Sequence, residues 1–181
     1  TGTCTQSSGC DPNDLDTQFN AGEARIIGVE SMLRAAFHLG GGLQSQIRGT
    51  YTWTQAQFQT DFQSGFSQWG NVKKGYLFPY VPQHQASLGL GLKRAAFDLD
   101  ISATYVSEMR DIAGEGDVED KYLIPAHKVV DITGAYVPWK GTRIYAKCEN
   151  VLNEAYIVSK RPFGARPGKP MQFLLGVKQA L

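Results

Sequence analysis

Apolar and polar residues alternate with a two-residue period in seven stretches of this chain. From Ile27 to Leu39, the odd positions Ile27, Val29, Leu33, Ala35, Phe37 and Leu39 are apolar, while Glu30, Arg34 and His38 are charged or polar. Successive side chains of a strand point to opposite faces, so this spacing predicts a strand with one greasy and one wet side. It ends at Gly40-Gly41-Gly42. The second strand runs from about Leu43 to Phe58, with Leu43, Ile47, Tyr51 and Trp53 on one parity and Gln44, Gln46, Arg48, Thr50 and Thr52 on the other. The third, about Val81 to Lys93, sets Ala86, Leu88, Leu90 and Leu92 against Gln83, Gln85, Ser87 and Lys93. In the fourth, Phe97, Leu99, Ile101, Ala103 and Tyr105 oppose Asp98, Asp100, Ser102, Thr104 and Glu108. The fifth sets Val130, Ile132 and Tyr136 against His127, Asp131 and Thr133. In the sixth, Ile144, Ala146 and Cys148 oppose Arg143, Tyr145, Lys147 and Glu149. The seventh runs from about Met171 to Leu181 and carries Phe173, Leu175 and Val177.

The connections are of two kinds. Gly40–Gly42, Arg94–Ala96 and Pro138–Gly141 are short turns at one end of the strands, while long polar segments join them at the other. That asymmetry marks the wall of a transmembrane β-barrel, with periplasmic turns and extracellular loops. The predicted fold class is all-β, with seven antiparallel strands in consecutive hairpin order. A soluble β-sandwich also alternates, but its strands average ~5–6 residues, much shorter than these stretches. Aromatics on the apolar parity gather near strand ends: Tyr51, Trp53 and Tyr105 on the loop side, Phe37, Phe97 and Tyr136 on the turn side. Two such girdles bracket a lipid band.

Seven strands place the two ends of the wall on opposite sides of a membrane, whereas bacterial single-chain barrels use even numbers. The expectation is therefore the C-terminal part of a larger barrel, with residues 1–22 as an extracellular loop segment and 23–181 as wall. The polar opening TGTCTQSSGCDPND carries no leader. A secreted protein needs one, so the true N-terminus is expected elsewhere.

Composition adds little. The 181 residues carry 18 Lys+Arg against 17 Asp+Glu, so no global basic character points to nucleic acid. Apolar content of 42% matches a soluble protein, as it does a barrel in which only alternate strand residues face lipid. No stretch approaches the ~20 consecutive apolar residues of a membrane helix. Cys4 and Cys10 sit close together in a polar segment. In a secreted context they read as a disulfide stapling a loop, the alternative being two unrelated thiols at a ragged terminus. Cys148 lies on the apolar parity and reads as wall.

Several segments resemble a TonB-dependent outer-membrane receptor. They are Pro79-Tyr80-Val81-Pro82-Gln83-His84-Gln85, Ala103-Thr104-Tyr105-Val106-Ser107 and Glu149-Asn150-Val151-Leu152-Asn153-Glu154-Ala155-Tyr156. Arg161-Pro162 with its Gly-rich loop, the closing Gly176-Val177-Lys178, and Asn20-Ala21-Gly22-Glu23-Ala24-Arg25 with Gly28 and Glu30 extend the likeness over nearly the whole chain after Asn20. Ferric-citrate and siderophore receptors are the most similar in pattern. The resemblance implies a barrel of about 22 strands, a plug domain and TonB-contacting box that this chain does not carry, and outer-membrane lipid around the wall. It also implies a Gram-negative cell and energy from a TonB–ExbB–ExbD system reached through the missing N-terminal region. The chain departs from the family where Met171 follows Pro170 in place of the usual Arg, and where Gln179 and Leu181 replace terminal aromatics. That terminal pattern guides assembly, so the departures bear on insertion rather than on membership.

No catalytic constellation is present, and the chain does not read as an enzyme. Gly164 to Lys169 spells G-x-x-x-G-K, one residue short of a phosphate loop and followed by Pro170. His38, His84 and His127 are scattered and make a poor zinc site, so neither a metal nor a cofactor is expected. Asp98 and Asp100 are expected to face Lys93 or Arg143 across strands, or water. What remains is recognition by loops. A bulky, anionic ferric chelate needs cations and aromatic surface, which makes Trp69, Lys73, Lys74, Tyr76, Arg110, Lys160, Arg161 and Arg166 the binding candidates. The guanidinium groups fit best, because a planar fork pairs two carboxylate oxygens at once. The expected function is energised uptake of a ferric siderophore or ferric citrate. Two other readings stand beside it: a porin-like or truncated, non-transporting wall, and a soluble all-β binding domain.

Overall fold

The computed structural model describes residues 22–65, 69–161 and 164–180. Seven long strands, Ala24–His38, Leu43–Phe58, His84–Arg94, Phe97–Val106, His127–Tyr136, Thr142–Glu149 and Gln172–Gln179, form one sheet in sequence order. Every pairing is antiparallel. The expected hairpin order holds. At the turn end, Gly40, Gly41 and Gly42 all take positive φ, and the Leu43 N–H closes the first turn on the Gly40 carbonyl at 3.0 Å. The Cys4 and Cys10 pair lies outside the described residues, while Cys148 is a free thiol within the sixth strand.

The sheet is a single layer, and its apolar parity is uncovered. Phe173 is 75% and Leu175 80% exposed, and Val29, Leu33, Phe37 and Leu88 also stand open. Nothing among the described residues packs a second layer on that face, so the soluble β-sandwich arrangement is not the one adopted. Aromatic pairs mark both rims of the apolar band. Phe97 stacks on Tyr136 at the turn end with ring centroids 4.7 Å apart. Near the loops, Tyr51 stacks on His84 and its hydroxyl meets His84 Nδ1 at 2.8 Å.

On the opposite, polar face, two ion pairs each reach over an intervening strand. Arg143 of the sixth strand donates to Asp98 of the fourth, as the charge pattern anticipated. Arg48 of the second strand reaches Asp100 of the fourth across Gly89 and Gly91 of the third. A Cβ at Gly89 would stand 3.1 Å from Arg48 Nε and Nη2, so the missing side chain is what lets the guanidinium lie flat. These pairs are partly exposed, and each is worth only ~0–1 kcal/mol. This face is not uniformly wet: Ile26 and Met32 lie on it and are exposed.

The third strand begins at His84, later than its alternation suggests, because Pro82 has no N–H to give the ladder. The loop end also holds three short ribbons that periodicity does not reveal. Phe62–Gln63 pairs with Asn71–Val72, Met109–Arg110 with Leu123–Ile124, and Ile157–Ser159 with Arg166–Pro167. The compact apolar core sits here rather than in the sheet. Phe58, Val72 and Ala113 are buried, with Phe62, Trp69, Tyr76 and Phe78 packed against them.

Candidate functional site

Three long connections, 59–83, 107–126 and 150–171, gather at the loop end. Their apolar anchor is Phe58, the last residue of the second strand. Its ring lies 4.0 Å from that of Phe78, 5.2 Å from Phe62 and 5.7 Å from Trp69. Trp69 and Tyr76, both candidates for ligand contact, are thus packed into the loop core.

Their polar anchor is Asp111, whose side chain is 5% exposed. The Tyr80 hydroxyl donates to Asp111 Oδ1, and Arg161 Nε donates to Oδ2 at 2.9 Å. The Lys160 N–H donates to the Tyr80 oxygen at 3.2 Å, and the Tyr80 N–H to the Arg110 carbonyl at 2.9 Å. One carboxylate therefore ties all three connections. Burial, then donation to Asp111, raises the Tyr80 hydroxyl above its ordinary pKa of 10.0.

The cationic candidates divide into two groups. Arg110 is buried and donates from Nη2 to the Gly116 carbonyl at 2.9 Å; burial pulls its guanidinium below the ordinary value. The Lys160 ammonium bridges the Asp120 and Lys121 carbonyls at 2.9 and 3.0 Å. Lys160 and, through Asp111, Arg161 thus join the third connection to the second, while Arg110 braces the second from within. Lys73, Lys74 and Arg166 are exposed at the surface. The Lys74 N–H is held by Asp61 Oδ1 at 2.7 Å, which fixes its backbone.

Two further devices shape the third connection. Asn150 is 1% exposed, with φ of 50°. Its Nδ2 donates to the Glu154 and Lys169 carbonyls at 3.0 and 2.8 Å, while Oδ1 accepts the Glu154 N–H at 2.9 Å. His127 stacks on Tyr156 at 4.5 Å, and Gly168 underlies the Tyr156 ring, where a Cβ would fall 2.0 Å from it. A cavity of about 420 Å³ opens between the first two connections, lined by Ala56, Leu77, His84, Ser107, Arg110 and Leu123 among others. Among the described residues, no three His, Cys, Asp or Glu side chains gather as a metal site. Sequence reasoning passed over Tyr80, Asp111 and Asn150 as organisers. The only signal for Tyr80 and Asn150 was their place in the resembling segments.

The TonB-dependent receptor-like β-barrel family profile matches residues 1–151. The chain belongs to the TonB-dependent receptor family. The family is one of outer-membrane proteins of Gram-negative bacteria. No curated sequence matches the chain. Among solved structures, it is similar to the siderophore receptor PiuA from Acinetobacter baumannii, with TM-score 0.69 and 19% identity over 88% of this chain and 22% of that one. It is also similar to the ferric-catecholate import receptor Fiu from E. coli K12, with TM-score 0.64 and 21% identity over 87% of this chain and 21% of that one. The copper transporter OprC shares the fold at TM-score 0.59 and 20% identity, over 86% of this chain and 23% of that one. The chain thus spans about a fifth of the length of the receptors it matches.

Proposed function

We propose that this chain is part of the barrel of a receptor for energised uptake of a ferric siderophore or ferric citrate across the outer membrane. Membership in the TonB-dependent receptor family is the observation that carries this reading. Residues 1–22 serve as an extracellular loop segment and 23–181 as wall. Energy comes from the TonB–ExbB–ExbD system through segments outside this sequence, and the chain itself performs no chemistry on its cargo.

In this reading the loop cluster is the receptor mouth. Lys73, Lys74 and Arg166 meet the anionic chelate, because their charge is exposed. Trp69, Tyr76, Arg110, Lys160 and Arg161 act from behind, holding the loops in one arrangement. A preorganised mouth loses less freedom when the ligand binds. The fold alone does not choose the metal, since it also serves a copper transporter.

The test uses the full-length receptor as the sole iron-uptake route of an outer membrane. Radiolabelled ferric citrate, a ferric catecholate and cupric ion are offered in turn, with and without TonB. TonB-dependent accumulation of a ferric chelate is expected, reduced by Lys73→Gln/Lys74→Gln/Arg166→Gln. Accumulation of copper alone, or equal flux without TonB, overturns the reading.

A further inference from the structure

Arg34 of the first strand and Arg48 of the second are direct partners in the antiparallel register, on the polar face of the sheet. Like charges set directly opposite in a ladder repel. Arg48 is partly relieved, since two of its N–H groups are taken by Gln46 Oε1 and by Asp100. Arg34 is exposed and has no ion-pair partner among the described residues. Lys93 and Lys178 add charge to the same face near the turn end, where Asp98 and Asp100 are engaged by Arg143 and Arg48; Glu30 and Asp131 stand farther along that face.

The two guanidinium groups line a depression of about 230 Å³ together with Met32, Thr50, Ser87 and Ser102. Thr50 and Ser87 are already joined hydroxyl to hydroxyl at 2.6 Å, and one proton of that pair remains to be donated. Gly89, also on the lining, lies under the Arg48 guanidinium and lets it lie close to the sheet. The open guanidinium fork of Arg34, the N–H groups that Arg48 keeps beyond its bonds to Gln46 and Asp100, and the hydroxyls beside them together make a receptor for a small planar anion. The site stands ten residues along the strand from Ala24, roughly 30 Å below the loop cluster at the rise of an extended chain. It is therefore separate from the mouth.

We propose that Arg34 and Arg48 form a carboxylate-binding subsite on the inner wall, near the turn end of the barrel. The proposal rests on the reading of this face as the lumen of an uptake path. The carboxylate has two sources with the same chemistry: a solute on its way through, or an acidic side chain of the receptor polypeptide lodged in the lumen.

The test uses the purified full-length receptor in detergent, with free citrate as probe. Citrate affinity is measured calorimetrically for the parent, Arg34→Gln and Arg34→Lys, and thermal unfolding is followed for all three. With a solute as the source, Arg34→Gln weakens citrate binding about tenfold, the loss of one charge-assisted forked pair. Arg34→Lys then restores part of it, and the unfolding temperatures coincide. With an internal carboxylate as the source, the parent binds citrate poorly and Arg34→Gln lowers the unfolding temperature by several degrees, while Arg34→Lys recovers most of it. Unchanged citrate affinity and unchanged unfolding temperature in both variants overturn the proposal. Neither measurement depends on iron uptake, so failure of ferric-chelate transport would leave this result standing on its own.

Discussion

Arg161 donates from Nε to Asp111 Oδ2 at 2.9 Å, joining residues 50 positions apart in the chain. Tyr80 donates to the other oxygen of the same carboxylate. Three loops from different hairpins are thus fastened at one atom group, and the cohesion of the cluster depends on a single buried carboxylate.

Removing that side chain should free the loops while sparing the sheet. Asp111→Ala leaves the Tyr80 hydroxyl without its acceptor and takes the carboxylate away from Arg161. Losing a buried acceptor costs about 1–3 kcal/mol. Cleavage of 107–126 and 150–171 by an added protease should quicken about tenfold, following the population of opened loops. The heat-modifiable migration of the barrel should stay as in the parent. Equal cleavage rates would show that Asp111 does not tie the loops.

Alkaline solution should open the same cluster. The folded-state pKa of Tyr80 is raised, chiefly by burial and next by donation to Asp111. Its contribution is complete below the ordinary tyrosine value and is lost as pH rises through the raised one. Loop proteolysis followed from about pH 8 to about pH 11 should therefore accelerate only near the top of that range. Tyr80→Phe should cleave faster at all these pH values and lose the upward step. A step that survives in Tyr80→Phe would assign it to another group.

Asn150 offers a sharper contrast between near-isosteres. Its Nδ2 faces two carbonyl oxygens, so Asn150→Asp puts a carboxylate oxygen where a donor is needed. Asn150→Ala only vacates the position. Each should destabilise by about 1–3 kcal/mol, with Asp the worse of the two. Denaturant midpoints of the full-length receptor give the order, and Asp as stable as Asn would contradict it.

Cys4 and Cys10 are expected to be bridged in the secreted protein, and Cys148 to stay reduced. A short closed loop has few conformations, so a bridge restricts the chain between the two cysteines. Peptide mapping without reduction should recover the two cysteines in one linked fragment. Alkylation of both before reduction would refute the staple.

How much of this was legible depended on the range of the interactions. The wall was readable because each strand declares its own faces: Phe97, Leu99 and Ile101 against Asp98 and Asp100 need no distant partner to be understood. The Arg143–Asp98 pair was within reach for the same reason, since charges on one parity have few choices across a ladder. The loop cluster was not readable in that way. Arg110, Lys160 and Arg161 look like free loop cations in sequence; Lys160 and Arg161 become ties only because Asp120 and Asp111 arrive from another loop, and Arg110 only because its own loop folds back to Gly116. Two-residue ribbons such as Phe62–Gln63 with Asn71–Val72 are too short to show any period.

The count of strands has a directional consequence. The first strand runs from loop end to turn end, and because every pairing is antiparallel the seventh runs the same way. Rolled into a cylinder, the sheet would bring its two margins together pointing alike, as the single parallel seam in an otherwise antiparallel wall. Copies standing the same way up in a membrane, first margin to seventh, meet the same mismatch. An all-antiparallel cylinder built on this sheet must therefore draw an odd number of additional strands from other parts of the polypeptide. Any circular permutation or split-gene version of the receptor that keeps these seven strands together has to keep that parity.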